Sequence, residues 1–189
     1  MAHIKTVLAY LGYRGNNCDG QVLETISQAE KEILKCCGEP KSVMGIWNCH
    51  VDNNVVNFNG YDIKSKDLEK HLAKSEYIGV FAVTLGVQAD ALINTYGVSD
   101  LHRSVVTDAV ASVMVNEYCD KLCAELADYP NVANLKQTKR FSPGYGDFDL
   151  KYQHGILNIL GAGKRIGVAV TDGNMLVPSK SVTAVLGFV

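Results

Sequence analysis

The hydrophobic periods along the chain predict an α+β protein with a largely antiparallel, twisted sheet flanked by helices. Apolar residues in the first 38 positions recur at helical steps, and after residue 41 the period shortens to that of strands. The order that follows is strands, helices, then strands again, which is not the strict β–α alternation of a parallel sheet. The chain has 189 residues, 47% hydrophobic and 20% charged, the composition of one ordinary soluble domain. It therefore reads as a single domain, 1–189, with an N-terminal helical segment over 1–38 and an α+β core over 42–189.

Each element has a local reason. KTVLAYLGY is a short apolar helix that the RGNNCDG run breaks. Val22, Leu23, Ile26, Ala29, Ile33, Leu34 and Cys37 form the apolar stripe of an amphipathic helix, which Gly38 and Pro40 stop. SVMGIWNCHV and VVNFNGYDI are β-rich runs joined by Asp52-Asn53-Asn54 and split by Asn59-Gly60, residues that tolerate positive φ, so a hairpin or meander is expected. SKDLEKHLAK is a short helix with Ser65 as N-cap, YIGVFAVTLG a buried strand, and GVQADALINTYG a helix ending near Gly97.

Residues 100–129 make the longest helical pattern, ended by Pro130. Leu101, Val105, Ser112, Val115, Cys119, Leu122 and Leu126 fall on one stripe. Val106, Val110 and Val113 lie opposite, so the first half is expected to be buried all round. Asp108 interrupts the first stripe and Glu117 continues the second. Each reads either as a local pair or solvent boundary, or as a carboxylate placed for a cationic ligand group. The remaining segment carries an irregular loop, a short helix near 152–160, and strand-like runs at IGVAV, Met175–Val177 and VTAVLGF.

The formal charge of −2 offers no basic field for nucleic acid. The apolar runs are too short and glycine-broken to span a membrane, and the first residues lack a signal-peptide core, so a cytoplasmic protein is expected. Six cysteines stand without a C-x-x-C pair and read as buried or incidental thiols. Cys49, His50 and Asp52 resemble metal ligands only loosely, because alternation along a strand puts Cys49 and His50 on opposite faces, and no metal site is expected. No dinucleotide fingerprint, P-loop, nucleophile elbow or zinc-protease motif is present, so no catalytic residue is assigned.

One segment stands out: Arg140-Phe141-Ser142-Pro143-Gly144-Tyr145-Gly146-Asp147. Glycine admits close backbone approach, proline stiffens the turn, arginine offers a planar fork for a carboxylate, and tyrosine a flat face with a hydroxyl. Arg140, Gly144 and Tyr145 together suit the carboxylate and ring of a ligand; the same residues also make an ordinary rigid turn.

The R-x-x-x-G-Y pattern at Arg140, Gly144 and Tyr145 resembles the S-adenosylmethionine-binding motif in the activation domain of vitamin B12-dependent methionine synthase. The closing segment is similar too, through Gly167, Thr171, Met175, Pro178, Ser181 and Val182, and VTLG at 83–86 before a helix looks like short stand-alone relatives. The resemblance is best over 100–188. It implies the activation-domain fold and a module that binds S-adenosylmethionine and supplies the methyl group for reductive methylation of inactive cobalamin on a partner protein, a reactivation component of a cobalamin-dependent methyltransferase. Arg140 would grip the methionyl carboxylate, and the Ser142 backbone would bond near the adenine. Gly144 would allow close approach, Tyr145 would line the site, and Glu117 would face the amino group. The implied partners are a cobalamin-binding domain and an electron-donor protein, with no nucleic acid or membrane. No D-x-H-x-x-G motif is present, so cobalamin would be reached only through the partner. The fused domain continues past the position of Val189, so contacts from that extension are expected to be missing. The alternative is a non-catalytic module that binds a corrinoid protein or senses S-adenosylmethionine; a third reading is an unrelated α+β protein with a chance loop.

Overall fold

A computed structural model describes residues 4–13 and 18–189. Helix α1 (Ile4–Tyr10) and helix α2 (Gly20–Cys37) come first. Four residues of the expected break between them, 14–17, lie outside the described residues. Asp19 caps α2 by accepting from the Gln21 N–H, and Gly38, at φ 68°, ends it, a backbone conformation that costs a glycine little.

Three strands follow: β1 (Lys41–Asp52), β2 (Val55–Phe58) and β3 (Tyr61–Lys64). The two hairpin loops between them are Asn53-Asn54 and Asn59-Gly60, all four residues at positive φ. That is the turn geometry whose twist matches the strands it joins. Helix α3 (Lys66–Leu72) starts at its expected cap, Ser65, and leads into β4 (Tyr77–Thr84). Helix α4 (Val87–Ser99) runs two residues beyond Gly97. Asp100 then ends α4 with its backbone and opens helix α5 (Leu101–Ala127) with its carboxylate, which accepts from the Arg103 N–H.

After α5 come a short 3₁₀ turn (Leu150–Tyr152), α6 (Gln153–Leu160), α7 (Ala162–Ile166), strands β5 (Ala169–Val170) and β6 (Leu176–Val177), and the closing β7 (Ser181–Phe188). The main sheet has the order β3-β2-β1-β4-β7, and every pairing in it is antiparallel. β1 changes partner along its length, with residues 41–48 on β4 and 49–52 on β2, which curls the sheet. β5 and β6 pair with each other as a separate ribbon, so of the IGVAV run only Ala169 and Val170 are strand.

Both faces of the sheet are covered, which explains why β4 reads as an unbroken apolar run. Phe81, Val83, Ala184, Leu186 and Phe188 face α2, α4 and α5. Ile78, Val80, Ala82 and Val185 face the opposite way, onto α3, α6 and α7. Helix α5 is the spine of the first layer, burying Val106, Val110, Val113, Cys119, Leu122 and Leu126.

Its first half is not buried all round. Leu101 is 71% exposed and Val105 52%, because the sheet and α2 and α4 cover other sides of the helix. Among the described residues no helix is long and apolar enough to cross a membrane, and no group of three His, Cys, Asp or Glu could hold a metal. Cys49 donates to the Ser75 carbonyl, and burial pushes its thiol up to about 11; burial pushes Cys37 and Cys119 up to about 12.

Candidate functional site

The loop singled out in the sequence begins as an edge to the sheet. Lys136 and Val189 exchange backbone hydrogen bonds of 2.8 and 3.0 Å, the Thr138 N–H donates to Gly187 at 2.8 Å, and Phe141 and Val185 exchange bonds of 2.7 and 2.9 Å. This extended run alternates its side chains. Arg140 points to α5, and Phe141 points the other way, its ring 5.0 Å from His71 and stacked 6.2 Å from Phe148.

Beyond Phe141 the chain reverses. The Tyr145 N–H donates to Ser142, the Phe148 N–H to Tyr145, and the Gly144 N–H to Phe148. Gly144 sits at φ 97°, a backbone conformation that favours glycine, and a Cβ there would stand 3.3 Å from the Leu150 side chain, a tight contact.

Asp147 fastens the loop to α3. Its carboxylate accepts from the Ser65 hydroxyl, from Lys66 N at 2.9 Å and from Asp67 N at 3.1 Å, while Asp67 accepts from Asp147 N at 3.1 Å. The Ser65 hydroxyl and those two amides hold the Asp147 carboxyl below the usual carboxylate range. Ser65 in turn accepts from Leu68 N, so one cap serves both helix and loop.

Between this loop, β7 and the β5–β6 ribbon lies a cavity of about 410 Å³. Arg140, Ser142 and Tyr145 line it, with Pro143, Leu150, Met175, Leu176 and Val182 as apolar wall. Its size is within the range of small-molecule sites. Tyr145 is 57% exposed and stands edge-on to Phe141 at the rim. Gly144 shapes the turn behind the wall and does not line the cavity.

The floor holds polar groups that the sequence reading missed. Gln153, buried on α6, donates to the Asn174 carbonyl at 2.7 Å and accepts from the Thr183 hydroxyl at 3.3 Å. It ties the ribbon to β7. Its signal was a polar residue on the apolar face of QHGILNIL. Ser179 donates from its N–H and its hydroxyl to Asp90 in the first turn of α4, at 2.8 and 2.6 Å.

Helix α5 supplies the last wall through one ridge of side chains spaced four apart. Asp108 pairs with Lys180 at 2.8 Å, Lys180 donates to Ser112 at 3.0 Å, and Arg140 donates to the Asn116 carbonyl and side chain at 3.2 and 3.3 Å. Arg140 also pairs with Asp120 at 3.1 Å. The position that α5 offers to the cavity is thus Asn116. Glu117, one residue and about 100° further round the helix, lines a different cavity with Glu30, Leu34, Met114 and Tyr118. The structure brings Arg140, Ser142, Gly144 and Tyr145 together and does not bring Glu117 to them. Asp108 is paired, though not locally: its partner is Lys180, from the segment before β7.

Against known proteins, a model of the family described as vitamin B12 dependent methionine synthase, activation domain, matches residues 63–188. In a comparison with curated proteins nothing matches. Among solved structures, one described as the MetH reactivation domain bound to AdoHcy is similar over 95% of this chain and 71% of its own, with a TM-score of 0.74 and 16% identity. At that identity the likeness speaks for the fold.

Proposed function

The chain belongs to the family of vitamin B12 dependent methionine synthase activation domains, and from that premise we propose that it binds S-adenosylmethionine in the Arg140 cavity and supplies a methyl group to inactive cobalamin on a partner protein. The observation that carries this reading is the Arg140 guanidinium on the wall of a cavity of about 410 Å³, on a loop pinned to both β7 and α3.

The residues present fit such a ligand. Arg140 matches an amino acid carboxylate with two parallel N–H donors. The Asn116 side-chain oxygen, beside the guanidinium, has a second lone pair for the ammonium of the same amino acid, the role read from the sequence for Glu117. Ser142 and Pro143 bring backbone to the cavity wall, Gly144 turns the chain behind them, and Tyr145 gives its ring to the rim. Among the described residues lining the cavity, none is a cysteine, histidine or carboxylate. The site presents a ligand and holds no strong nucleophile of its own.

When bound, the sulfonium supplies an electrophilic methyl. A partner's cobalt, once reduced by an external electron donor, would accept it, with the S–C electron pair left on sulfur. This chain's part is binding, orientation and shielding. Methyl transfer would drain the product of an unfavourable reduction, so a presenting module would drive reactivation without an acid or base.

Calorimetric titration of S-adenosylmethionine into the chain tests this directly. Saturable binding is expected, and Arg140→Ala is expected to weaken it on the order of a hundredfold, the loss of a bidentate charged pair. No saturable binding, or equal binding by the variant, overturns the site. Binding without methyl transfer to a corrinoid protein supplied with an electron donor would make the module a sensor.

A further inference from the structure

Arg140 has five N–H donors; α5 takes two of them in hydrogen bonds and adds one ion pair. Nη1 donates to the Asn116 carbonyl at 3.2 Å and lies 3.1 Å from an Asp120 carboxylate oxygen in an ion pair; Nη2 donates to the Asn116 side chain at 3.3 Å. Among the donors that make no hydrogen bond are Nε–H and the second Nη2–H, two parallel donors with the spacing of one carboxylate.

Asp120 does not reach the cavity by which Arg140 would meet its ligand. It lines an outer cavity with Cys123, Gln137, Thr138 and Arg140 itself, on the other side of the guanidinium, and its side chain is 74% exposed. We propose, resting on the carboxylate role of Arg140 above, that Asp120 is a positioning residue: from outside the cavity it holds Nη1 so that the Nε/Nη2 edge faces the ligand. It would not contact ligand itself.

Two opposed effects set the sign. The Asp120 charge repels a ligand carboxylate, but across an exposed, screened path. Against this stands the rotamer freedom of a long arginine, which the bridge removes before ligand arrives. With Asp120 so exposed and the two carboxylates on opposite sides of the guanidinium, ordering outweighs repulsion.

The test uses two ligands, S-adenosylmethionine and its decarboxylated analogue, titrated by calorimetry into the wild-type chain and into Asp120→Asn and Asp120→Glu. Asp120→Asn is expected to weaken S-adenosylmethionine about two- to fivefold, the range of an exposed ion pair. The analogue, having no carboxylate, should bind the variant and the wild type alike. Asp120→Glu should restore most of the loss. Tighter binding by Asp120→Asn would show that Asp120 competes with ligand for Arg140 and overturn the proposal. Equal weakening of both ligands would reduce Asp120 to general support, and no change for either would remove it from the site; both overturn the proposal while leaving the carboxylate role of Arg140 standing. If the wild type binds neither ligand, the binding reading itself falls, and the positioning role with it.

Discussion

Asp147 accepts from a hydroxyl and two backbone amides at once, and its own N–H is taken by Asp67, so a single carboxylate joins the 140–147 loop to the first turn of α3. Gly146 is bound into the same contact, since a Cβ there would fall 2.1 Å from the Asp67 carboxylate. Because hydrogen bonds to the charged form depress the folded-state pKa of Asp147 below its ordinary 3.8, its contribution is present above that value. It is lost as pH falls through the lower folded value. Thermal melts of the wild type and Asp147→Asn across pH should therefore differ at neutral pH, with the wild type more stable. The difference should shrink in acid below about pH 4. A gap that persists unchanged into strong acid would mean that the charge is not what holds the loop.

Two helices do the positioning. α3 matters through its cap: Ser65 accepts from Leu68 N and donates to Asp147, and it is 2% exposed. Ser65→Ala should cost about 1–2 kcal/mol in urea unfolding, as cap removal does. It should also weaken S-adenosylmethionine binding, because the same hydroxyl holds the loop. Loss of stability with unchanged binding would separate the cap from the site. α5 matters through its ridge, on which Asp108 and Ser112 hold Lys180 as Asn116 and Asp120 hold Arg140. Spacing of four keeps these side chains on one face. An acid at 117 belongs to another face, and its cavity lies against α2. Counting along a helix without knowing which side meets the sheet leaves that choice open.

Taken as a molecule, the fold is a sheet sandwiched between two helical layers, with the site where the closing strand β7, the loop beside it and α5 meet. The closing strand is packed closely. A Cβ on Gly187 would lie 2.0 Å from the Ser75 hydroxyl and 2.8 Å from Leu72, under the return of the chain into β4. Gly187→Ala should destabilise the protein by about 1–3 kcal/mol, the range for overpacking a filled core. It also strains the 136–141 edge, because Thr138 donates to the Gly187 carbonyl and accepts from its N–H. Chemical denaturation reads the first effect, and hydrogen exchange at the Thr138 and Phe141 amides the second. A variant as stable and as protected as the wild type would mean that this corner relaxes freely.

Much of this was legible along the chain, for reasons that are local. Asn53-Asn54 and Asn59-Gly60 carry their turn geometry in their own backbone preferences, Ser65 and Gly38 announce helix ends by side-chain chemistry, and the periods of α2 and β4 report which faces meet apolar neighbours. The glycine and proline of the 140–147 loop announced a tight turn for the same reason. What required the folded chain was every statement about which side of an element meets which partner. Leu101 and Val105 belong to an apolar stripe yet stay exposed, because the covering layers happen to lie elsewhere. Asn116 rather than Glu117 reaches Arg140 because the sheet sets the rotation of α5. Gln153 and Thr183 meet only because α6 and β7 are brought together from opposite ends of a long segment. Propensity and periodicity act over a few residues, whereas the facing of a helix and the company of a buried amide are settled by the packing of elements distant in the chain.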